Sequence, residues 1–330
     1  MSLGRRDFLI ATGTAVVGLV GGSLSGGCAQ ARAPVSKNQV PGFYRFSLGQ
    51  FQLTVVSDGT FAFPAEVLWP EATKAERDAV LVSDFQPTDM STLQVNVLAV
   101  NTGDQLVLID AGSRGKMQPT AGRLLQNLAS AEIKPEDIDT ILITHAHPDH
   151  LWGVANASDT ERTFPNAEYV IGEAELNFWM QPQHPLASDA FWGGIYRQNM
   201  KTIAAIKDRI RTVKPDGEVV PGITAIATPG HTPGHTSVQI ASGSNQLLCT
   251  ADVVGNRAVA FHHPDWRGGF DLDLDQGAKT RRTFLDRCAG EKVMVSTYHL
   301  PFPGVGHVVR TGTAFSWLPT DWRWEGVSPT

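Results

Sequence analysis

The chain has 330 residues, 42% of them hydrophobic, and a formal net charge of −6 at pH 7 with a pI of about 5.9. This length suits one large domain or two small ones, and the apolar content is sufficient for a substantial core. The acidic balance argues against a nucleic-acid partner, which would require a basic patch.

The N-terminus has the layout of an export signal. A pair of arginines, Arg5 and Arg6, precedes an apolar, glycine-rich run over 10–24. A positive start, an apolar middle and small residues at the end are typical of secretory signals, and the arginine pair resembles the twin-arginine type. We expect residues 1–31 to be a signal peptide that the twin-arginine export machinery reads, with a periplasmic or secreted product.

Two alternatives concern the same segment. Cys28 follows a sequence that resembles a lipoprotein box with its leucine one position too early, so a lipid anchor on Cys28 is the alternative to a free product. A membrane-spanning helix is less favoured, because the apolar run is short and rich in glycine. Residues 32–40 form a polar linker, and the folded domain is expected over 41–330.

Apolar patterns predict alternating strands and helices over the rest of the chain. Strands are predicted over 43–48, 51–57, 94–100, 105–109, 137–144, 223–228, 237–240, 246–250 and 293–297. Helices are predicted over 122–131, 199–213 and 280–288. Pairs of strands followed by helices, twice over, indicate an α/β sandwich built from two similar halves.

Four of these strands lead into a residue that can bind a metal ion. These residues are His145, His231, Asp252 and His299, and the stretch THAHPDH over 144–150 adds His147, Asp149 and His150. Imidazole nitrogens and carboxylate oxygens suit zinc, and also manganese, cobalt or iron. Because one tetrahedral ion needs about four ligands, seven candidates predict two divalent ions, with Asp252 as the natural bridge.

These motifs resemble the metallo-β-lactamase superfamily. The resemblance rests on HxHxDH at 145–150, PGHTPGH at 229–235, Asp252, His299 and Asp110. It implies an αββα sandwich, in which two mixed sheets are flanked by helices and a metal site lies at the sheet edge.

The resemblance also implies roles for individual residues. His145, His147 and His231 would hold one ion, Asp149, His150 and His299 would hold the other, and Asp252 would bridge them. Asp110 and His235 would support these ligands from outside. The family further suggests a homodimer.

The bridging position carries an aspartate, where many β-lactamases have a cysteine. Together with the closing stretch at 298–307, this resembles the methyl parathion hydrolase and lactonase-like branch. We therefore expect a hydroxide held between two ions to attack apolar aryl esters, lactones or organophosphate triesters, with Asp149 and Asp252 as the catalytic carboxylates. The alternatives are an acyl-homoserine lactonase, a glyoxalase II-like thioesterase, or a metal-binding protein without turnover.

Aromatic residues between the metal motifs predict an apolar substrate pocket. The candidates for its wall are Trp179, Phe191 and Trp192 in that region and Phe63 earlier in the chain, with His263 at the rim. Core packing is the alternative for such a cluster. The acidic residues Asp271, Asp273 and Asp275 alternate with leucine and are expected to form a solvated strand edge.

Overall fold

Two seven-stranded sheets packed face to face make up the computed structural model, which describes residues 39–40 and 42–323. The first sheet contains, in spatial order, β1 (Phe43–Leu48), β2 (Phe51–Pro64), β3 (Met90–Asn101), β4 (Leu106–Ile109), β5 (Thr140–Ile143), β6 (Glu168–Gly172) and β7 (Ile210–Val213). The second contains, also in spatial order, β14 (Ala314–Pro319), β13 (Val305–Thr311), β12 (Met294–Ser296), β11 (Asn245–Cys249), β10 (Thr236–Ser242), β9 (Ile223–Ala227) and β8 (Glu218–Val220).

Eight helices accompany the sheets within the described residues. They are α1 (Ala65–Leu68), α2 (Lys74–Ser83), α3 (Leu124–Ser130), α4 (Pro148–Leu151), α5 (Glu173–Trp179), α6 (Trp192–Ile206), α7 (Arg257–His262) and α8 (Leu274–Glu291). No helix in this part of the chain is long and apolar enough to cross a bilayer. The expected signal peptide, Cys28 and most of the expected linker lie outside the described residues.

Strand side chains alternate between two apolar layers. On β2, Val55 packs into the layer between the sheets, and Val56 packs into the layer under the helices of the first sheet. On β11, Leu247 points into the layer between the sheets, while Leu248 joins a third layer with α7 and α8. Each sheet therefore buries both faces, and the predicted αββα sandwich is confirmed.

The first sheet differs from the prediction at the end of β2. The sequence Asp58-Gly59 resembles a turn, so the predicted strand stops at residue 57, but β2 continues through a bulge to Pro64. The bulge is stable because the buried Asp58 carboxylate accepts hydrogen bonds from the backbone N–H groups of Ser113 and Leu124. A bulge re-aims a strand without ending it, and here it carries β2 on toward the site.

The helix predicted over 199–213 is wrong at both ends. α6 begins at Trp192 and ends at Ile206, and Ile210–Val213 form strand β7, which pairs in parallel with β6. Apolar residues at 203, 206, 210 and 213 keep helical spacing across the break. Periodicity alone cannot distinguish one long helix from a helix followed by a strand. Hydrogen bonding to β6 makes residues 210–213 a strand.

Strand direction brings the metal motifs together at one edge. β11 and β12 run parallel, and β9 points the same way as β11 because both pair antiparallel with β10. Asp252, His299 and His231 therefore all follow the carboxyl ends of strands that share an edge. His145 follows β5 in the same manner in the first sheet, whose strands β4 to β7 are parallel.

Asn96 on β3 joins the two sheets near this edge. Its buried side chain donates to the carbonyl of Leu300 at 2.8 Å, and its backbone N–H donates to the carbonyl of Tyr298 at 2.9 Å. The segment that carries His299 is thereby fixed against the first sheet.

Replacing Asn96 with alanine is expected to lower the free energy of unfolding by about 1–3 kcal/mol, because a buried carbonyl loses its donor. Denaturant unfolding followed by circular dichroism measures the change. Thr92→Ala, at an exposed position of the same strand, is the control and should stay within about 0.5 kcal/mol of the parent. Equal losses in the two variants would contradict this role for Asn96.

Candidate metal centre

The stretch THAHPDH is a turn that leads from β5 into α4. Thr144 fixes it: its backbone N–H and its hydroxyl both donate to the buried carboxylate of Asp110, each at 2.8 Å. Pro148 is the first residue of α4, a position where the missing N–H costs nothing. Asp149 and His150 lie within the helix, so their side chains join a different ligand group from those of His145 and His147, which precede it.

All seven predicted ligands come together at the sheet edge, in two groups. The first group contains His145, His147, His231 and Asp252, and the second contains Asp149, His150 and His299. Within each group the candidate ligand atoms lie within 4.8 Å of one another. The split follows the division that the family resemblance implies.

The bridging position belongs to Asp252. One of its carboxylate oxygens lies 3.1 Å from Nε2 of His150, in the second group. The other lies 3.1 Å from Nε2 of His231, in the first group, and 3.1 Å from Nε2 of His299. Asp252 lies three residues after the end of β11, in a short 3₁₀ turn, and its side chain reaches both groups.

Outward hydrogen bonds set the orientation of the imidazoles. Nδ1–H of His150 donates to Asp110 at 2.8 Å, and Nδ1–H of His299 donates to the carbonyl of Gln94 at 2.7 Å. Nδ1–H of His231 donates to Asp271 at 2.8 Å in the same way. Because one proton lies on the outward nitrogen, Nε2 of each ring faces the centre and can bind a cation once its own proton is lost. His147 is reversed, with Nδ1 inward, 2.9 Å from Nε2 of His231.

These inward atoms fit metal ions better than they fit one another. Within the described chain, Nε2 of His145 and of His150, Oδ2 of Asp149 and Oδ1 of Asp252 are buried without a hydrogen-bond partner. Buried acceptors that face other acceptors are costly unless positive charge lies among them. Nitrogen and carboxylate oxygen donors are those that zinc and similar divalent ions take, so the residues present fit such ions.

The pKa shifts differ among the ligand imidazoles: the pKa of His145 and of His147 is lowered, whereas nearby carboxylates raise the pKa of His150, His231 and His299. Burial lowers the pKa of His145 and His147 well below the usual value, and neighbouring imidazoles lower it further. Both rings are therefore neutral at pH 7, the form that binds metal. At His231, burial lowers the pKa, but the carboxylates of Asp252 and Asp271 outweigh it and raise the pKa to about 9. A proton therefore competes with a cation for this nitrogen.

His235 lies behind the ligands. Its Nε2 accepts the backbone N–H of Asp252 at 3.1 Å, and its Nδ1–H donates to the carbonyl of Thr228 at 3.1 Å. Burial and the neighbouring His231 lower its pKa to about 3, so the ring stays neutral. It positions Asp252 through the backbone and has both nitrogens engaged outside the two groups.

Above the centre lies a cleft with about 850 Å³ of empty space. Its aromatic lining residues are Phe61, Phe63, Trp69, Phe191, Trp192 and Phe270, and His147, Asp149, Asp252 and His299 lie on its floor. An apolar cleft with a few convergent polar groups is the usual form of a small-molecule site.

Three of the five predicted pocket residues line this cleft, namely Phe63, Phe191 and Trp192. Trp179 does not: it is fully buried, stacks on His184, and donates its indole N–H to Glu175 at 2.7 Å. His263 also lies outside the lining and stacks on Trp266. Trp179 at the end of α5 and His263 after α7 are therefore packing residues, because neither side chain faces the cleft.

The family model of the metallo-beta-lactamase superfamily matches residues 90–309, which is more than half of the chain. The chain belongs to this superfamily. It is a metal-dependent hydrolase of the metallo-beta-lactamase fold, as the motifs predict.

Similar proteins include two solved structures. The first is AidC, a dizinc quorum-quenching lactonase in complex with its product N-hexanoyl-L-homoserine; it is 30% identical, with a TM-score of 0.81 over 86% of this chain and 98% of that chain. The second is the hydrolase AbOPH of the beta lactamase superfamily, also 30% identical, with a TM-score of 0.81 over 87% of this chain and 100% of that chain.

A curated relative is an N-acyl homoserine lactonase from Bacillus cereus. It is 25% identical over an alignment of 212 positions that covers 58% of this chain and 76% of that protein.

Asp271 and Phe270 belong to this metallo-beta-lactamase site, although the sequence patterns did not predict them. Asp271 is not on a solvated strand edge: it is almost fully buried and pairs with both His231 and Arg281. Phe270, beside it, lies at the centre of the aromatic wall, 4.8 Å from the ring of Phe63. The alternation of aspartate and leucine over 271–275 is typical of a solvated strand and gave no sign of either role. Asp273 is indeed exposed, but it caps α8.

Replacing Asp110 with asparagine is expected to weaken the retention of one metal equivalent about 10–100-fold, because His150 loses the charged acceptor that orients it. Asparagine tolerates the positive φ of 65° at this position, so the backbone is preserved. Chelator competition on the metal-loaded protein measures the change. Asp104→Asn, at an exposed turn, is the control, and indistinguishable metal affinities in the two variants would refute the role of Asp110.

Proposed function

We propose that the protein is a dinuclear metal-dependent lactonase that opens lactones carrying an apolar acyl chain. The observation that carries the proposal is the position of the converging ligand atoms at the floor of an aromatic cleft. The 30% identity to a dizinc lactonase supports lactones ahead of the other ester classes. Aryl esters are the second candidate, because the cleft wall offers flat aromatic faces to an aryl group.

The aromatic wall would bind the apolar part of the substrate. Phe270 contacts three other rings, those of Phe63, Phe191 and Trp192, with centroid distances of 4.8, 6.2 and 6.4 Å. Trp192 also stacks on His147 at 5.1 Å. The wall thus extends from the mouth, where Phe191 is 51% exposed, to the edge of the metal centre, and it excludes water along one side.

Two divalent ions, when bound, would lower the pKa of water and polarise an ester carbonyl. The chain itself supplies carboxylates on the cleft floor, from Asp149 and Asp252. Asp149 belongs to the second ligand group and lies on the cleft floor, so its carboxylate is placed to take a proton during hydrolysis and return it to the leaving alkoxide. Zinc is the expected metal, and manganese, cobalt and iron have compatible ligand preferences.

We also propose that the enzyme is exported by the twin-arginine machinery and acts in the periplasm or outside the cell. Support comes from Arg5, Arg6 and the apolar run over 10–24. A lipid anchor on Cys28 is the alternative to a freely diffusing product. A homodimer is the alternative to a monomer. Fractionation of cells that express the full chain tests export, and the same experiment with a Cys28→Ala variant tests the lipid anchor.

Removing metal is expected to abolish hydrolysis, because the ions would supply both the activated water and the polarisation of the carbonyl. Treatment with a chelator should reduce the turnover of an N-acyl homoserine lactone by more than about 100-fold, and Zn²⁺ should restore it. Metal analysis of the same sample gives the stoichiometry, expected to be two. Undiminished turnover in a metal-free preparation would exclude the proposed function.

A substrate panel separates the candidate reactions. Lactones are expected to give the highest kcat/KM among an acyl-homoserine lactone, an aryl ester, a thioester and an organophosphate triester. Preference for the triester or the thioester would replace the lactonase proposal with the corresponding alternative.

Acyl-chain length tests the role of the wall. Because burial contributes about 0.8 kcal/mol per CH₂, kcat/KM should rise up to about fourfold with each added methylene until the wall is covered. Phe270→Ala should flatten this dependence. Phe85→Ala, which removes an aromatic side chain that is 97% exposed and outside the cleft lining, is the matched control. A steep dependence that survives Phe270→Ala would contradict the assignment.

A further inference from the structure

Glu175 is a buried carboxylate that the proposed hydrolysis does not use. It lies on α5 and is fully buried. Oε1 accepts the backbone N–H of Ala146 at 2.8 Å and the indole N–H of Trp179 at 2.7 Å. Oε2 accepts the hydroxyl of Thr232 at 2.6 Å and the backbone N–H of Gly234 at 3.1 Å.

All four partners of Glu175 are donors. Each carboxylate oxygen accepts two hydrogen bonds, which is the pattern of an ionised group. Burial raises the pKa of Glu175, while the four hydrogen bonds oppose this shift. Leaving a buried carboxylate with fewer donors is costly, so the four donors are held at the distances that its two oxygens require.

Three of the four donors come from the two loops that carry the three histidines of the first ligand group. Ala146 lies between His145 and His147, and Thr232 follows His231 directly. The carbonyl of Ala146 accepts the side-chain N–H of Asn199 at 2.7 Å. The peptide between the first two histidines is therefore held on one side by α5 and on the other by α6.

Close packing fixes the second loop against the same helix. A Cβ atom at Gly234 would lie 2.0 Å from the backbone nitrogen of Glu175. Only glycine allows this approach, so the loop over 229–235 cannot move toward α5, and the Glu175 hydrogen bonds prevent it from moving away.

The second ligand group has other supports. His150 is oriented by Asp110, and His299 is oriented by the carbonyl of Gln94. None of the four hydrogen bonds of Glu175 goes to Asp149, His150 or His299.

We propose that Glu175 is a positioning residue for the first ligand group: it sets the distance between the loop of His145 and His147 and the loop of His231. This inference rests on the metal centre of the proposed function. None of the four hydrogen bonds of Glu175 goes to a ligand side chain, and it acts through the backbone of Ala146 and Gly234 and the hydroxyl of Thr232.

The main test is Glu175→Gln in the zinc-loaded protein, with Glu173→Gln as the matched control at an exposed position of the same helix. The glutamine amide turns an N–H₂ group toward donors, so the two loops should separate. Chelator competition should then show one zinc equivalent held about 10–100-fold more weakly and the other unchanged. A His231→Ala variant identifies the affected equivalent as that of the first group.

A second pair of variants separates positioning from a purely structural role. Thr232→Val and Trp179→Phe each remove one donor from Glu175, but only Thr232 lies on a ligand-bearing loop. Thr232→Val should weaken the first zinc equivalent, Thr232→Ser should restore it, and Trp179→Phe should leave it unchanged. This pair also serves if Glu175→Gln does not fold.

Wild-type zinc affinities in Glu175→Gln and Thr232→Val would overturn the inference, as would equal weakening in Trp179→Phe and Thr232→Val. A parent protein that binds fewer than two zinc equivalents would instead contradict the proposed dinuclear function itself. Stoichiometry of the parent and affinity of the variants thus report on the two proposals separately.

Discussion

Lone pairs that point at one another are the constraint on which this structure depends. Five imidazoles and two carboxylates converge at one sheet edge, and several of their inward atoms have no donor among the described residues. A folded chain tolerates such a set only when positive charge, from protons or from metal ions, lies among the acceptors. The arrangement therefore links the stability of this region to its ligand, and it explains why so much of the surrounding structure serves to hold the rings still.

The supports are distributed over separate elements. Asp110, at the end of β4, holds both the Thr144 turn and the ring of His150. Asp271, from the loop before α8, holds His231, and a carbonyl of β3 holds His299. Because each ring is oriented from a different part of the sandwich, the centre forms only when the two sheets are packed together. This is the physical link between the fold and the proposed chemistry.

The sequence predicted the layers of the fold well, because strands that bury both faces are continuous apolar runs and the motifs end those runs. It also predicted which seven residues the structure brings together. It failed where long-range pairing decides local structure, as at β7, whose residues continue the spacing of α6. It failed again at Trp179 and Asp271, since the direction of a side chain depends on the packing of its whole segment. A buried carboxylate such as Glu175 has no signature in one sequence, because its donors are backbone groups far along the chain.

Helix α6 contributes to two different parts of the site. Its first residue, Trp192, forms part of the aromatic wall, and two turns later Asn199 holds the peptide between His145 and His147. A shift of this helix would change the cleft and the metal loop at the same time. Phe63 stands near the end of β2, on a segment without that second duty, whereas Phe270 directly precedes Asp271, which orients His231. In evolutionary terms, the wall has a constrained side and a free side, and substrate range can diversify through Phe63 while α6 and the loop before α8 remain in place.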